Sequence, residues 1–262
     1  MELRIPSEPG IPHPVTITLD RHGDFVAFYE IIVERCYEPL LRRIAPGDVV
    51  VDAGANIGLF SMLASNRVGC QGTVLAIEPN PENLERLASH VRRNGLTNVR
   101  TIPCAVAGPN DTEVRMAGDG IRGHVVEKTE GSYSVRANTL DGLAREQGLR
   151  PTILKMDIEG SEREAFRGLS ESLPNLRAVS IEIHDRGAEE VVRSALTGFR
   201  IERLERSGFS PYVRFGIRHP ILLSRLERHN RFLSLRRVLR DRGDVSGNVG
   251  GFPTNWLAYR TV

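Results

Sequence analysis

One stretch limits the folds open to this chain more than any other, the run Val49-Val50-Val51-Asp52-Ala53-Gly54-Ala55-Asn56-Ile57-Gly58. Val49 to Asp52 reads as a strand buried on both faces. A glycine-punctuated turn follows, after which Ile57, Phe60, Ser61 and Ala64 share one face of a short helix. Gly54 leaves the backbone open to a ligand, and Gly58 lets the helix start lie close to the sheet. Strand, tight turn and helix N-terminus in that order make a nucleotide crevice at the carboxyl end of a parallel sheet.

The same spacing excludes two kinds of nucleotide site. A dinucleotide fingerprint would place its second and third glycines where Asn56 and Leu59 stand, and no Lys-Ser or Lys-Thr follows to make a P-loop. The turn suits a nucleoside without a pyrophosphate. Glu78 ends the next strand, Thr73 to Ile77, where a carboxylate can accept from both ribose hydroxyls.

From Glu78 onward, Asn80 and Pro81 read as N-cap and first-turn proline of a helix with Leu84, Leu87, Ala88 and Val91 on one face, ended by Gly95. Val99 to Ala105 is a third strand with its register broken by Pro103. Short β-α-β-α-β connections predict a doubly wound, mostly parallel sheet. Before it, Val15 to Leu19 reads as an edge strand, and Asp24 to Ile44 as a helix that Pro39 kinks or restarts. After it, glycines between 108 and 131 break short alternating pieces (Thr112 to Met116, Val125 to Lys128, Ser132 to Ala137) into a β-hairpin-like insertion. A helix at Thr139 to Gln147 precedes the strand Ile153 to Asp157. Ser161 and Glu164 then spell a capping box. Val179 to Ile183 is a further strand, Ala188 to Thr197 a helix, and Phe199 to Glu205 with Asn255 to Arg260 an antiparallel closing pair.

At 262 residues this is one α/β domain with additions: an N-terminal strand and helix cap (1–47), a core (48–206), a basic helical insertion (217–242) and a last strand (255–260). The insertion carries arginines 218, 225, 228, 231, 236, 237, 240 and 242 against Glu227 and Asp241, interleaved with leucines and Phe232. Two amphipathic helices capping the cleft are favoured there over a peripheral membrane contact or a seat for a phosphate-bearing substrate. A net charge of +2 gives no strong nucleic-acid signal, and no apolar run is long enough to cross a bilayer. Cys36, Cys70 and Cys104 lie far apart with no C-x-x-C pair, which suits a reducing cytoplasm.

The reactive candidates sit at strand ends: Asp157 and Glu159 after one, Glu182 and His184 after the next, all facing the crevice of a doubly wound sheet. His184 is the first choice for general base. Lys155 is expected to pair with a carboxylate structurally. The four end residues could also gather a divalent cation; spacing alone leaves that open, and no metal is assigned.

Three runs, Asp52 to Gly58, Ala76 to Pro81 and Leu154 to Glu162, resemble the FkbM family of S-adenosylmethionine-dependent methyltransferases, mostly O-methyltransferases of class I Rossmann-like fold with a seven-stranded sheet. The glycine turn is common to most class I enzymes, whereas Lys155-Met156-Asp157-Ile158-Glu159-Gly160 is specific to the family. The resemblance implies that Asp52, Ala53, Gly54, Ala55, Asn56 and Gly58 hold the methionine part of the cofactor. It implies that Glu78, with Pro79 and Asn80, holds the ribose, that Ala105 and Val106 border the adenine, and that Asp157 serves both cofactor and chemistry. The expected function is methyl transfer to a hydroxyl of a sugar, glycan or secondary-metabolite acceptor. The alternatives are a nucleic-acid methyltransferase using the arginine-rich segment and a non-catalytic cofactor-binding module.

Overall fold

The computed structural model describes residues 1–7, 11–117, 124–125, 132–204, 210–229 and 254–261. The chain opens with an antiparallel pair, β1 (Glu2–Ile5) and β2 (Val15–Thr18). Only the second is legible as a strand from sequence; the first buries Leu3 and Ile5 by alternation too short to stand out. Helix α1 (His22–Phe28) runs through a π turn, Tyr29–Val33, and the chain breaks at Arg35, whose φ of 59° is left-handed. Helix α2 (Glu38–Leu41) restarts with Pro39 in its first turn, where a missing N–H costs nothing. The interruption thus lies ahead of Pro39, and it leaves Tyr37 buried.

The nucleotide-binding half follows the expected order: β3 (Val49–Ala53), α3 (Leu59–Val68), β4 (Thr73–Ile77), α4 (Pro81–Arg93) and β5 (Val99–Ile102). The Asn80 side chain accepts from the amides of Glu82 and Asn83 at 3.0 and 3.1 Å, capping α4. His90 of α4 meets the carbonyl of Ile57 through Nδ1 (2.8 Å) and the amide of Thr18 through Nε2 (3.0 Å). A carbonyl can only accept and an amide only donate, so the ring is the neutral Nδ1–H tautomer and ties β2 to the glycine turn.

Pro103 does more than disturb a register. The expected strand from Val99 to Ala105 is two strands: β5 pairs with β4, and β6 (Ala105–Val106) leaves for a second sheet with β7 (Glu113–Ala117), β8 (His124–Val125) and β9 (Tyr133–Asn138), in the order β6-β9-β7-β8. The continuation of the expected Val125–Lys128 piece lies outside the described residues. The chain then returns through α5 (Leu140–Gln147), β10 (Ile153–Met156), α6 (Glu162–Arg167), β11 (Ala178–Ile183), α7 (Arg186–Ala195), β12 (Arg200–Leu204), α8 (Ser210–Arg218), α9 (Pro220–His229) and β13 (Thr254–Tyr259). No capping box forms at Ser161, which has φ −96° and ψ 10° and makes no side-chain cap bond. Glu164 instead pairs with Arg167, and Glu162 turns back to accept from the Gly160 amide at 2.9 Å.

The main sheet has seven strands in the order β12-β13-β11-β10-β3-β4-β5, parallel except for β13, which runs antiparallel to both neighbours. Register partners split by period two into two apolar layers. Val50, Val74, Ile153 and Ala178 face the N-terminal elements, α3 and α4; Val51, Leu75, Leu154 and Val179 face the layer built with α5, α6 and α7. Of the basic 217–242 segment, the part up to residue 229 is helical, as expected, and the remainder lies outside the described residues. Leu226 is buried there, while Ile217 and Ile221 are exposed. Among the described residues no helix is long and apolar enough to cross a membrane.

A buried ion pair joins the two central strands. Lys155 on β10 is the register partner of Asp52 on β3, and its ammonium lies 3.2 Å from Asp52 Oδ1 and donates to the Gly54 carbonyl at 2.7 Å. Ser61 Oγ donates to Asp52 Oδ2 at 2.6 Å. Removing one partner strands the other charge without water, so Lys155→Met is expected to cost roughly 3–5 kcal/mol in urea unfolding. Adding Asp52→Asn to that variant should restore part of the loss. A cost below about 1 kcal/mol would mean that the pair does not hold the strands.

Candidate active site

Strand order reverses between β3 and β10, and the cleft opens at their carboxyl ends, where doubly wound sheets bind ligands. The glycine turn forms one wall. Gly54 has φ 78°, and a Cβ there would lie 1.8 Å from the Asp157 carbonyl oxygen. Gly58 has φ 90°, and a Cβ would lie 2.3 Å from Leu87 Cδ1 of α4. The first glycine is thus required by close approach of the turn to the end of β10, and the second by a neighbouring helix. Neither reason is the one spacing alone suggests.

Glu78 is buried at the end of β4, with Oε2 accepting from the Asn56 amide at 2.8 Å and Oε1 from the Asn80 amide at 2.9 Å. Burial pushes its carboxyl above the ordinary value, against the opposing pull of those two amides. Those two amides and the Asn83 side chain fix the carboxylate in direction at the wall of the cleft, where a ribose diol would donate to it. Ala105, Val106 and Met116 supply an apolar floor beyond Ile77. A buried, clamped carboxylate, a close-lying turn whose amides are tied to Ile77 and Glu78, and an apolar slot without a phosphate cradle fit S-adenosylmethionine.

The opposite wall comes from the ends of β10 and β11. Asp157 accepts the Tyr37 phenol at 3.1 Å on Oδ2, the atom that also lies 4.0 Å from Lys155 Nζ. Burial and the negative charge of Asp157 keep Tyr37 well above the usual phenol value, so it stays a donor. Lys155 remains charged: burial works against its proton, but Asp52 and Asp157 outweigh it. Glu159 holds a left-handed φ of 53°. His184 Nδ1 donates to Glu162 Oε1 at 2.8 Å, and Nε2 lies 3.5 Å from Glu159 Oε2. Burial lowers the basicity of this imidazole, but hydrogen bonds to Glu159 and Glu162 more than reverse that and raise its pKa to about 10.

Of the residues expected from sequence, Gly54, Ala55, Asn56, Glu78, Pro79, Asn80, Ala105, Val106, Asp157, Glu159 and Glu182 line this one cleft. Asp52, Ala53, Gly58 and His184 stand behind its surface: Asp52 is fully buried in its ion pair, and His184 reaches the cleft through Glu159. Sequence reading missed Tyr37, Lys155 as a lining residue, and Glu162. The Lys-Met-Asp run flags Lys155. Nothing in the local pattern marks Tyr37, because its position depends on the break at Arg35.

Comparison with known proteins agrees with this geometry. The family model for the methyltransferase FkbM domain matches residues 52–244. The 31-O-demethyl-FK506 methyltransferase FkbM of Streptomyces tacrolimicus is 28% identical over 213 residues, covering 67% of this chain and 80% of that protein. The hexuronic acid methyltransferase AglP of Haloferax volcanii is 28% identical over 146 residues, covering 55% of this chain and 59% of its own length. A solved FkbM methyltransferase from Methylobacillus flagellatus is 18% identical with a TM-score of 0.46, covering 72% of this chain and 53% of that one. The matched span takes in both walls of the cleft, and the chain belongs to the FkbM family of S-adenosylmethionine-dependent methyltransferases.

Proposed function

We propose that this protein methylates a hydroxyl oxygen of a sugar, glycan or secondary-metabolite acceptor. The observation that carries the reading is the row of carboxylates, Asp157, Glu159 and Glu182, on the wall facing the nucleoside-binding residues. An alcohol is a poor nucleophile until its proton is leaving, so a carboxylate opposite the donor is what hydroxyl methylation calls for. S-adenosylmethionine, when bound, supplies the methyl group on a sulfonium, and Glu78 and the glycine turn are the residues that would hold it. The relatives named for a hexuronic acid and for the 31-oxygen of FK506 support an oxygen acceptor of this kind.

Roles within the wall follow from contacts. An imidazole paired with two carboxylates and carrying its proton has no lone pair to offer at neutral pH, so His184 does not serve as the base. Asp157 is oriented by Tyr37 and Lys155. Glu182 lines the cleft from the adjacent strand and takes the hydroxyl proton as the oxygen is methylated.

Uronic acid glycosides and polyketide alcohols, incubated with the protein and S-adenosylmethionine, should yield S-adenosylhomocysteine and a product one methylene heavier by mass spectrometry. With an acceptor in hand, Glu182→Gln is expected to lower kcat by roughly 10²–10⁴-fold. An unchanged kcat removes Glu182 from the role. His184 gives a pH signature. Its folded pKa of about 10 exceeds the ordinary 6.5, so its contribution to stability is full below pH 6.5 and is lost as pH rises toward 10. In EDTA the melting temperature should fall across that window, and His184→Gln should flatten the fall; equal slopes would contradict the pairing.

A further inference from the structure

The acceptor wall also gathers a set of atoms suited to ligate a metal ion. One atom each from Asp157, Glu159 and His184 lies within 4.8 Å of the other two. A divalent ion at the centre, held at about 2.0–2.2 Å from oxygen or imidazole nitrogen, needs only small side-chain rotations to reach all three. The residues come from two neighbouring strand ends, so the sheet holds them together.

Two further observations point to a cation. Glu162 has a side chain with no exposed surface, and its Oε1 meets His184 Nδ1 at 2.8 Å. A buried carboxylate holding Nδ1–H aims Nε2 outward, which is the arrangement that orients metal-binding histidines. Glu162 Oε2 is buried without a hydrogen-bond partner among the described residues, a costly state for a carboxylate unless positive charge lies close by.

We propose that Asp157, Glu159 and His184 Nε2 bind one divalent cation at the acceptor side of the cleft, the cation displacing the Nε2 proton of the imidazolium to solvent, with Glu162 as the positioning residue behind the histidine. Three protein ligands leave coordination positions open toward the cleft. They suit an acceptor that presents two adjacent oxygens, a vicinal diol or a hydroxyl beside a carboxylate. The cation holds that oxygen pair and eases loss of the hydroxyl proton to Glu182. The assignment of acceptor class rests on the O-methyltransferase reading.

The test is Mn²⁺ titration of the chelator-treated full chain, followed by electron paramagnetic resonance, with S-adenosylhomocysteine calorimetry on the same samples. The expected result is one Mn²⁺ per chain, with affinity at least roughly tenfold weaker in Glu159→Gln, His184→Gln and Glu162→Gln. S-adenosylhomocysteine affinity should stay within about twofold in each variant, which also shows that they fold. A wild-type chain that binds S-adenosylhomocysteine but no Mn²⁺, or Mn²⁺ binding indifferent to all three substitutions, would overturn the cation site alone. A wild-type chain that binds Mn²⁺ but no S-adenosylhomocysteine would overturn the donor reading on which the acceptor class rests.

Discussion

A buried ammonium organises the centre of this molecule. Lys155 sits where β3 and β10 part, bonded to the Gly54 carbonyl, paired with Asp52 and 4.0 Å from Asp157. Carboxylates at that depth would be costly alone, and so would the lysine. Together they fix the glycine turn on one wall of the cleft against the end of β10 on the other. The clash that any Cβ on Gly54 would make with the Asp157 carbonyl is the steric side of the same constraint. Under the proposed assignment of the two walls, one joint sets donor against acceptor, and methyl transfer, an in-line displacement, gains most from such positioning.

Much of the fold was legible because it rests on local signals. Val49 to Asp52, Thr73 to Ile77 and Ile153 to Asp157 read as strands, and Asn80-Pro81 marks a helix start that the structure reproduces with two cap bonds. The parallel order then follows from short connections. What failed is equally specific. Ser161 and Glu164 have the spacing of a capping box, yet Ser161 makes no cap bond and Glu164 is taken by Arg167 three residues on. Pro103 was legible as an interruption, but the departure of β6 to a second sheet depends on β9, more than two dozen residues later in the chain.

The site divides the same way. Glu78 and the glycine turn are contiguous with strand and helix signals, so their place in the cleft could be read from spacing. Tyr37 reaches Asp157 across a separation of 120 residues, through a helix break that no proline marks. His184 was legible as a strand-end histidine, but its role was not. Its character comes from Glu159 and Glu162, and two carboxylates turn a candidate base into a cation or a ligand. Period and spacing report where a side chain points; partners on other strands decide its chemistry.

The central claim is that the Gly54 turn and Glu78 hold the nucleoside of S-adenosylmethionine. Calorimetric titration of S-adenosylhomocysteine into the wild-type chain and Glu78→Ala tests it most directly. One equivalent should bind the wild type, with NAD not competing. Glu78→Ala should weaken binding by roughly 10- to 150-fold, the range expected for hydrogen bonds to a charged group. Affinity within twofold of wild type in Glu78→Ala, or displacement of S-adenosylhomocysteine by NAD, would contradict the account.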